Sequence, residues 1–268
     1  MKYNRILSIA GSDSGGGAGI QADIKTISAL GGYAATVVTA VTIQNTLGVS
    51  GVHPIPVDII SAQIDAVLSD IGADAVKIGM LHSAEVVEVV LRALDRHKIT
   101  NIVVDPVMVS TSGHRLIEES AIDILRRELL PRARVITPNI PEAEIILNTS
   151  ITAQDQLPAL AQELSFAGRC SVLLKAGHLS EETLTDIIYD AESSVSTPLS
   201  SPRLYTRNTH GTGCTLSSAL ATLLGRGLNP TEAAIGAKEY ITKAINSGAK
   251  YTIGAGHGPV DHLFDVRL

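Results

Sequence analysis

The segment 208–215, NTHGTGCT, brings together glycines that can expose backbone amides and a thiol that can move a proton. The apolar residues after it recur at three- and four-residue intervals, which predicts a half-buried helix that begins at about Gly213. The first amides of a helix have no partner within it and carry partial positive charge, so Gly211 and Gly213 could present N–H groups to an anion. The thiol of Cys214, at the same helix end, is expected to have a lowered pKa and to act as a base or nucleophile. The alternative is a glycine turn that caps an ordinary helix, with Cys214 as a small buried apolar residue.

A second glycine-rich loop, at 11–19, follows a strand predicted over 5–10 and precedes a helix marked by regularly spaced isoleucines. Its glycines are not followed by the lysine and hydroxyl residue of a P-loop, and their spacing does not match the dinucleotide fingerprint. The loop could still admit a ligand close to the backbone. Asp23 falls on the apolar side of the helix, where we expect its carboxylate to meet a polar ligand at the mouth of a sheet. The alternative is a first-turn carboxylate that is favoured by the helix dipole.

These segments need a scaffold, and the rest of the chain supplies alternating strand and helix patterns. The predicted strands lie at 5–10, 33–42, 75–79, 101–104, 134–136, 171–174, 184–189, 194–198 and 203–207. The predicted helices lie at 57–69, 84–98, 121–130, 155–166 and 230–248, besides those that follow the two glycine segments. Such alternation favours a mostly parallel sheet covered on both faces, with its ligand crevice at the carboxyl ends of the strands. Because Gly11, Gln44, Met80 and Asp105 each follow a strand, we expect them at one edge. The polar loop 110–114 on that edge is a candidate lid, or else a plain surface loop.

Three further polar groups at this edge could bind a ligand. The amides of Gln44 and Asn45 suit hydrogen bonding to a heterocycle, although Asn45 could simply form a turn. Asn139 and Glu142, in the sequence TPNIPE, offer oxygen ligands to a hard cation such as Mg²⁺, although the same pair could cap a helix. Lys175, at a predicted strand end beside a glycine, could meet a phosphate.

The composition restricts the class of protein. With 268 residues, of which 45% are hydrophobic and 18% charged, the chain can bury a large core, and we interpret residues 1–268 as one domain. A formal net charge of −6 argues against a nucleic-acid partner but allows a small anionic ligand. Cys170 and Cys214 form neither a disulfide framework nor a metal-ligand pattern. The apolar run 6–10 is too short for a signal peptide and no run has the length of a membrane span, so we predict a cytoplasmic protein without membrane contact.

Taken together, eight segments in this order resemble the ribokinase-like superfamily and, within it, the hydroxymethylpyrimidine and phosphomethylpyrimidine kinases of thiamine biosynthesis. The segments are AGSDSGGGAGIQADIKT (10–26), TAVTIQNTLGV (39–49), VKIGML (76–81), VVDPVMVSTSG (103–113), TPNIPEA (137–143), LLKAGH (173–178), HGTGCT (210–215) and GHGPV (256–260). The resemblance implies a three-layer α/β/α sandwich around a mostly parallel sheet. It also implies a homodimer that phosphorylates 4-amino-5-hydroxymethyl-2-methylpyrimidine, and then its monophosphate, with ATP and Mg²⁺.

The same resemblance implies a role for each group of site residues. The residues implied to surround the pyrimidine are Gly11, Asp23, Gln44, Met80 and Val107. The residues implied to form the oxyanion cradle are Gly211, Thr212 and Gly213, with Cys214 beside them to take the hydroxyl proton. The residues implied to hold Mg²⁺ and its waters are Asp105, Asn139 and Glu142. The residues implied to contact the nucleotide are Asn139, Lys175, His210 and Lys238.

Two positions differ from the wider superfamily. Its usual residue at position 214 is aspartate, although the pyrimidine kinases resembled here carry cysteine, and a thiol gains more from the helix dipole because its starting pKa is higher. Thr111 stands in the candidate lid where many relatives have lysine.

Three other functions can be compared with that of a pyrimidine kinase. Phosphorylation of pyridoxal or pyridoxine, alone or beside the pyrimidine, is the main alternative because both substrates are hydroxymethyl heteroaromatic rings. Gln44, Asn45 and Cys214 favour the pyrimidine. A ligand sensor on the same fold would have lost the cradle or the metal site, and a dinucleotide-dependent oxidoreductase would need the glycine fingerprint that is missing here.

Overall fold

The computed structural model describes residues 3–108 and 116–266, so the candidate lid at 110–114, with Thr111, lies outside the described residues. The strands are β1 (Arg5–Asp13), β2 (Tyr33–Asn45), β3 (Gly48–Pro54), β4 (Ala75–Ile78), β5 (Ile102–Val104), β6 (Val135–Ile136), β7 (Ser171–Leu174), β8 (Thr183–Asp190) and β9 (Val195–Pro202). The α-helices are α1 (Gly19–Ala29), α2 (Val57–Asp70), α3 (Ala84–Arg96), α4 (Glu119–Ile124), α5 (Ile140–Leu147), α6 (Leu157–Glu163), α7 (Thr212–Gly225) and α8 (Pro230–Gly248).

The nine strands form one sheet in the order β3-β2-β1-β4-β5-β6-β7-β8-β9. The six strands from β2 to β7 in this order pair in parallel, while β3 at one edge and β8 and β9 at the other pair antiparallel. The four parallel strands β4 to β7 are short and fully buried, as expected where helices cover both faces. Their carboxyl ends therefore meet along a single edge.

The sheet divides the apolar core in two, as a three-layer arrangement requires. Along β1, Leu7 and Ile9 point to one face, where they pack with residues of α2, α3, α5 and α6. Ile6 points to the other face and packs with residues of α1, α7 and α8. The alternation follows from the two-residue period of a strand. The predicted α/β fold with a mostly parallel sheet between helical layers is confirmed.

Several boundaries are set by local capping chemistry. α3 begins after Ser83, whose hydroxyl accepts the backbone N–H of Val86. α8 begins with Pro230 after Asn229, which shares a reciprocal capping box with Glu232. The helix predicted over 121–130 is interrupted, because α4 ends at Ile124 and a π-helical turn occupies Leu125–Leu129. Among the described residues, no helix combines the length and apolar character needed to cross a bilayer.

Two strand predictions differ from the structure. The pattern did not indicate β3, which is glycine-containing and half exposed, and which forms a hairpin with β2 through the turn at 46–47. The segment 203–207 is not a strand. Its Arg203 side chain instead donates to the backbone carbonyls of Leu179 and Glu181, which holds the chain against the β7–β8 connection on its way to α7.

The glycine-rich segment 254–259 packs against the hairpin turn. The backbone N–H groups of Gly256 and His257 donate to Thr46, and a Cβ on Gly256 would overlap the Thr46 carbonyl. Pro259 then forms a β-bridge with His210. The glycines of this segment are thus explained by close backbone packing, and the segment supports the start of the anion cradle.

Candidate active site

A cavity of about 670 Å³ opens at the carboxyl ends of the parallel strands. Most of the predicted site residues line it together, although they come from separate parts of the chain. These are Gly11, Gln44, Met80, Asp105, Val107, Asn139, Glu142, Lys175, His210, Gly211, Thr212, Gly213, Cys214 and Lys238. The predicted convergence of strand ends is therefore correct, and one cavity joins the glycine loop, the cradle and the two lysines.

The start of α7 has the geometry of an anion cradle. Gly211 is the N-cap residue with a φ of +78°, in the left-handed region that favours glycine. A Cβ on Gly211 would overlap the carbonyl oxygen of Gly17, so the two glycine loops pack backbone against backbone. A Cβ on Gly213 would lie 3.4 Å from both Asp105 Oδ2 and Lys175 Nζ. Gly213 therefore lies against an acid and a base that are already paired, and its lack of a side chain leaves that space open.

Cys214 lies in this cradle, but its thiol does not have the lowered pKa that was predicted. Burial raises the pKa of Cys214 to about 11, because loss of hydration outweighs the stabilising effect of the Lys77 ammonium. Asp23 and Asp105 raise the pKa further, whereas the backbone N–H of Gly19 lowers it. Position at a helix end is thus insufficient to ionise a half-buried thiol that also has two carboxylates nearby.

Asp23 does not line the cavity, contrary to the prediction. Its carboxylate and the Lys77 ammonium are both 0% exposed and form an ion pair at 3.0 Å. Ser8 Oγ and Ser218 Oγ also donate to Asp23, at 2.5 and 2.6 Å. Lys77 does line the cavity, whereas Asp23 does not, so the ion pair lies behind the cavity wall with Lys77 as its nearer member. Asp23 finds its partner inside the protein because α1 packs on α7 and on the sheet.

The Lys77 side chain remains charged although it is fully buried. Burial by itself lowers the pKa of Lys77, but Asp23, followed by Cys214 and Asp105, raises it above the ordinary value. A net rise in pKa is expected for a buried cation that has a hydrogen-bonded counter-ion.

Asp105 and Lys175 form a second buried pair, with Lys175 Nζ 3.1 Å from Asp105 Oδ1. Thr137 Oγ1 and Ser217 Oγ also donate to the Asp105 carboxylate, at 2.9 and 3.3 Å. Burial raises the pKa of Asp105, but Lys175 and then Lys77 bring it below the ordinary value. Asp105 is therefore ionised, as a ligand for a hard cation must be.

Asn139 and Glu142 are arranged as a capping box at the start of α5. Asn139 Oδ1 accepts the backbone N–H of Glu142 at 2.9 Å, and Glu142 Oε2 accepts the backbone N–H of Asn139 at 2.8 Å. Burial raises the pKa of Glu142 to about 7, with Lys175 opposing that shift and Asp105 adding to it. The contacts of Asn139 and Glu142 are therefore those of a helix cap, which was the alternative to a cation site.

The donor set fits a cation that keeps its own water molecules. Asp105 raises the pKa of Glu142 and both line the same cavity, but the Asn139 carbonyl oxygen is already an acceptor in the capping box. Within 3–108 and 116–266, no three His, Cys, Asp or Glu side chains form a ready metal centre. Two carboxylates with retained waters is the arrangement that Mg²⁺ prefers beside phosphates.

His210 and Lys238 line the same cavity with different partners. The Nε2 atom of His210 is 2.8 Å from Asp13 Oδ2 and 3.2 Å from Gln44 Nε2. The Nζ atom of Lys238 donates to Asp186 Oδ2 at 2.8 Å. The nucleotide role of both residues stays a prediction.

Sequence reasoning missed three residues that organise the site. Lys77 is the charged residue in the otherwise apolar strand AVKI, and that contrast could have identified it. Asp13 ends β1 inside the glycine loop, where an acceptor for several amides is needed. Asp186 lies in β8 and accepts both Lys238 and the backbone N–H of Ala176, a contact with no local sequence pattern.

The chain was compared with known proteins. Residues 13–261 match the family model described as phosphomethylpyrimidine kinase. The chain is 47% identical over 258 residues to the hydroxymethylpyrimidine/phosphomethylpyrimidine kinase of Rhizobium meliloti, with 96% of each chain covered. It is 46% identical over 265 residues to a thiamine biosynthesis bifunctional protein of Geobacter sulfurreducens, where it covers 98% of itself and spans only 53% of that relative's length.

Two solved structures resemble the fold closely. The phosphomethylpyrimidine kinase of Clostridium difficile is 43% identical, with a TM-score of 0.80, 91% of this chain covered and 100% of that chain. The pyridoxal kinase of Staphylococcus aureus, solved with AMP-PCP and pyridoxal, is 31% identical, with a TM-score of 0.88, 100% of this chain covered and 96% of that chain. The family model matches residues 13–261, and the identity to the Rhizobium meliloti enzyme extends over 96% of both chains. The chain therefore belongs to the phosphomethylpyrimidine kinase family, within the ribokinase-like fold.

Proposed function

We propose that the chain, as a single domain over 1–268, transfers the terminal phosphoryl group of ATP to 4-amino-5-hydroxymethyl-2-methylpyrimidine and then to its monophosphate, for thiamine biosynthesis. The observation that carries the proposal is that the cradle of Gly211, Thr212 and Gly213 shares one cavity with Gln44 and Met80. A pyrimidine bound beside Gln44 and Met80 could then present its hydroxyl group to the terminal phosphate of an ATP molecule bound at the cradle. The family membership supports the same activity.

The pyrimidine end has the polar and apolar groups that a small heterocycle needs. Gln44 supplies a carboxamide, while Met80 and Val107 supply adaptable apolar walls. Gly11 has no side chain, and a Cβ there would lie 3.4 Å from the Met80 sulfur. The glycine therefore leaves open the space next to Met80 that the ring would occupy. The proposal assigns these four residues to pyrimidine binding.

The phosphoryl end provides positive charge and the backbone amides of a helix start, of which that of Thr212 donates to the Thr209 carbonyl at 3.3 Å. The backbone N–H groups at the start of α7 would stabilise the negative charge that develops on the transferring group. Lys175 and Lys238 line the cavity next to this position, and each is held by a carboxylate, Asp105 or Asp186. Cys214 would take the proton from the substrate hydroxyl as its oxygen attacks phosphorus.

The nucleotide substrate is ATP, and the cofactor that fits the acidic groups is Mg²⁺. When bound beside the phosphates, Mg²⁺ would neutralise part of the charge on the transferring group. Asp105 and Glu142 would hold water molecules of the cation, with Asn139 positioning Glu142 through the capping box. The described contacts support this outer-sphere role because both carboxylates already accept hydrogen bonds.

Replacing Glu142 with glutamine should weaken Mg²⁺ activation by about 10- to 100-fold while preserving α5, because glutamine can still accept the Asn139 N–H. The wild-type pKa of about 7 means that the carboxylate forms as pH rises through neutrality. The apparent Mg²⁺ affinity of the wild type should therefore increase between pH 6 and 8, measured as the Mg²⁺ concentration that gives half-maximal rate. The variant should lack this increase. Equal Mg²⁺ dependence in both proteins would remove Glu142 from the metal site.

The reaction products give the direct test of the proposed function. Incubation of the protein with hydroxymethylpyrimidine, ATP and Mg²⁺ should yield the monophosphate first and then the diphosphate, followed by chromatography with a coupled ADP assay. Accumulation of the monophosphate alone would contradict the second step.

Pyridoxal kinase activity is the second candidate, favoured by the similarity to the Staphylococcus aureus enzyme. The same coupled assay with pyridoxal separates the two. A kcat/KM for pyridoxal that exceeds the pyrimidine value tenfold, about 1.4 kcal/mol, would reverse the assignment.

Homodimer formation, which the resemblance implies, and a cytoplasmic location, which the sequence pattern predicts, remain predictions. Sedimentation of the purified protein should give a mass of about twice 28.1 kDa. A monomer at assay concentrations would contradict the dimer.

A further inference from the structure

Lys77 is a fully buried ammonium near the carboxyl end of β4. Its Nζ atom is 3.0 Å from each of the two Asp23 carboxylate oxygens. A Cβ on Gly79 would lie 2.9 Å from this Nζ atom and 3.1 Å from Ala10 Cβ, so the glycine leaves the space that the ammonium occupies. A buried ion pair is often no more stabilising than apolar side chains of similar volume. A pair at the wall of the cavity therefore calls for a functional explanation.

The ion pair lies beside the first turns of α7, on the side that carries Cys214. Ser218 Oγ donates to Asp23 Oδ1 at 2.6 Å. Cys214 precedes Ser218 by four residues in α7, and residues four apart lie on the same face of a helix, one turn from each other. Lys77 and Cys214 both line the cavity. The charge of Lys77 is thus held next to the face of α7 that carries the thiol.

Four charged groups act on the Cys214 thiol. Two ammonium groups, Lys77 of β4 and Lys175 after β7, favour its ionised form. Two carboxylates, Asp23 of α1 and Asp105 after β5, oppose it. Among these groups, Lys77 has the largest effect on the pKa of Cys214. Removal of the Lys77–Asp23 pair would therefore raise the pKa of Cys214, because Lys77 acts on the thiol more strongly than Asp23 does.

We propose that Lys77 is a positioning residue for the first of the two phosphoryl transfers, in which its ammonium, held by Asp23, stabilises the Cys214 thiolate that accepts the hydroxyl proton. The inference rests on the proposed function. In this transfer the hydroxyl proton passes to the Cys214 sulfur while the oxygen forms a bond to the terminal phosphorus of ATP. The bond from this phosphorus to its bridging oxygen breaks, and its electron pair leaves with ADP. The thiol then returns its proton to solvent.

The second transfer has a different acceptor. A phosphate monoester loses its second proton with a pKa of about 6, so its attacking oxygen is already ionised at neutral pH. That oxygen attacks the terminal phosphorus of a new ATP molecule with no proton to remove, and ADP again takes the electron pair of the broken bond. The second transfer should therefore depend little on the thiolate, and little on the charge that stabilises it. Loss of Lys77 should affect two reactions in one cavity to different extents.

The test removes the ion pair in the double variant Asp23→Asn with Lys77→Met. At neutral pH its kcat for hydroxymethylpyrimidine should fall about three- to tenfold, because a higher thiol pKa leaves less thiolate, although the more basic thiolate recovers part of the rate. Its kcat for the monophosphate should change less than about twofold, and any weaker attraction for this anionic substrate should appear in KM. A coupled ADP assay at saturating substrate measures both values, and thermal unfolding verifies the fold.

Reaction of the thiol with iodoacetamide measures the same charge effect without catalysis. Alkylation of Cys214 should be about threefold slower or more in the double variant, since the thiolate is the reactive form and its higher nucleophilicity offsets only part of its loss. Cys170 is 1% exposed, and burial raises its pKa to about 12, so it contributes little to the signal. The matched control, Asp186→Asn with Lys238→Met, removes a pair that joins β8 to α8 and should leave this rate unchanged.

The dependence on Cys214 gives a further criterion. In the Cys214→Ala background, removal of the ion pair should have no further effect on kcat for the alcohol, because the group through which Lys77 acts is missing. A fall that persists in this background, an equal fall for both acceptors, or an unchanged alkylation rate would each overturn the inference. A merely structural role would lower both kcat values together and leave the alkylation rate as in the control.

The outcomes also separate this inference from the function on which it rests. A wild-type protein that phosphorylates neither acceptor would overturn the proposed function and the catalytic part of the inference, while the alkylation rates would still show whether Lys77 stabilises the thiolate. If the double variant fails to fold, Lys77→Gln decides with the same assays. Its amide can donate to Asp23 without a positive charge, so it must cause losses of the same sign.

Discussion

Replacing Cys214 with alanine should lower kcat about 100-fold or more and leave the affinity for hydroxymethylpyrimidine nearly unchanged. The thiol lies in the cradle rather than among the groups that contact Gln44, so its loss removes proton transfer and little binding energy. The pKa of about 11 adds a second expectation. Since the thiolate is the base, wild-type kcat should rise with pH from 7 to 9, and the rise should be absent in the alanine variant. Steady-state kinetics and calorimetry measure the two quantities.

A matched control replaces the same thiol with a group that is ionised at lower pH. Aspartate is the usual residue at this position in the wider superfamily, so Cys214→Asp should recover part of the activity and weaken its dependence on pH. Cys214→Ser retains the size of the side chain and supplies a much weaker acid, so it should resemble alanine. Near wild-type turnover in the alanine variant would refute the role of Cys214 as proton acceptor. A flat wild-type pH profile would show that the thiolate is not the active form.

The architecture could be predicted because its causes are local and repeated. The strand and helix periods along the chain lead to a parallel sheet, and a parallel sheet necessarily collects residues such as Gly11, Met80 and Asp105 at one edge. β3 was not indicated because Gly48–Pro54 contains two glycines, a proline and few apolar residues, so its pairing with β2 depends on the hairpin rather than on its own pattern. Segment 203–207 had the alternation of a strand but no neighbouring strand with which to pair.

The chemistry of individual side chains was less predictable because it depends on partners distant in the sequence. Asp23 was expected to need a partner, and it has one, but that partner is Lys77, which lies 54 residues away in β4, whereas Asp23 lies in α1. The same reasoning applies to Cys214. A helix end lowers the pKa of a thiol, but burial and nearby carboxylates act in the opposite direction, and their sum cannot be read from the segment 208–215 alone.

Asp23 and His210 differ in where the structure places them. Asp23 is 0% exposed and stabilises the buried Lys77 ammonium, so it contributes to the fold and does not line the cavity. His210 lines the cavity itself and links the glycine loop to the cradle through Asp13. Its role toward a ligand stays a prediction.

Replacing Asp23 with alanine should reduce the free energy of unfolding by about 3–5 kcal/mol, because it leaves the Lys77 ammonium buried without a counter-ion. The Ser8 and Ser218 hydroxyls would also lose their acceptor. A loss of this size is a large part of the stability of a typical domain. Denaturant unfolding followed by circular dichroism, with equal slopes for both proteins, measures the difference.

The double variant Asp23→Asn with Lys77→Met separates stability from binding. It removes both charges, and asparagine keeps an acceptor for one serine hydroxyl and offers an NH₂ donor to the other, so its stability should return to within about 1–2 kcal/mol of the wild type. Because the side chains of both Asp23 and Lys77 are 0% exposed, we expect the double variant to bind hydroxymethylpyrimidine within about threefold of wild-type affinity, which corresponds to less than 1 kcal/mol. A large loss of pyrimidine affinity in this well-folded variant would show that the ion pair contacts the ligand. An alanine variant as stable as the wild type would mean that the Lys77 charge finds another partner when Asp23 is absent.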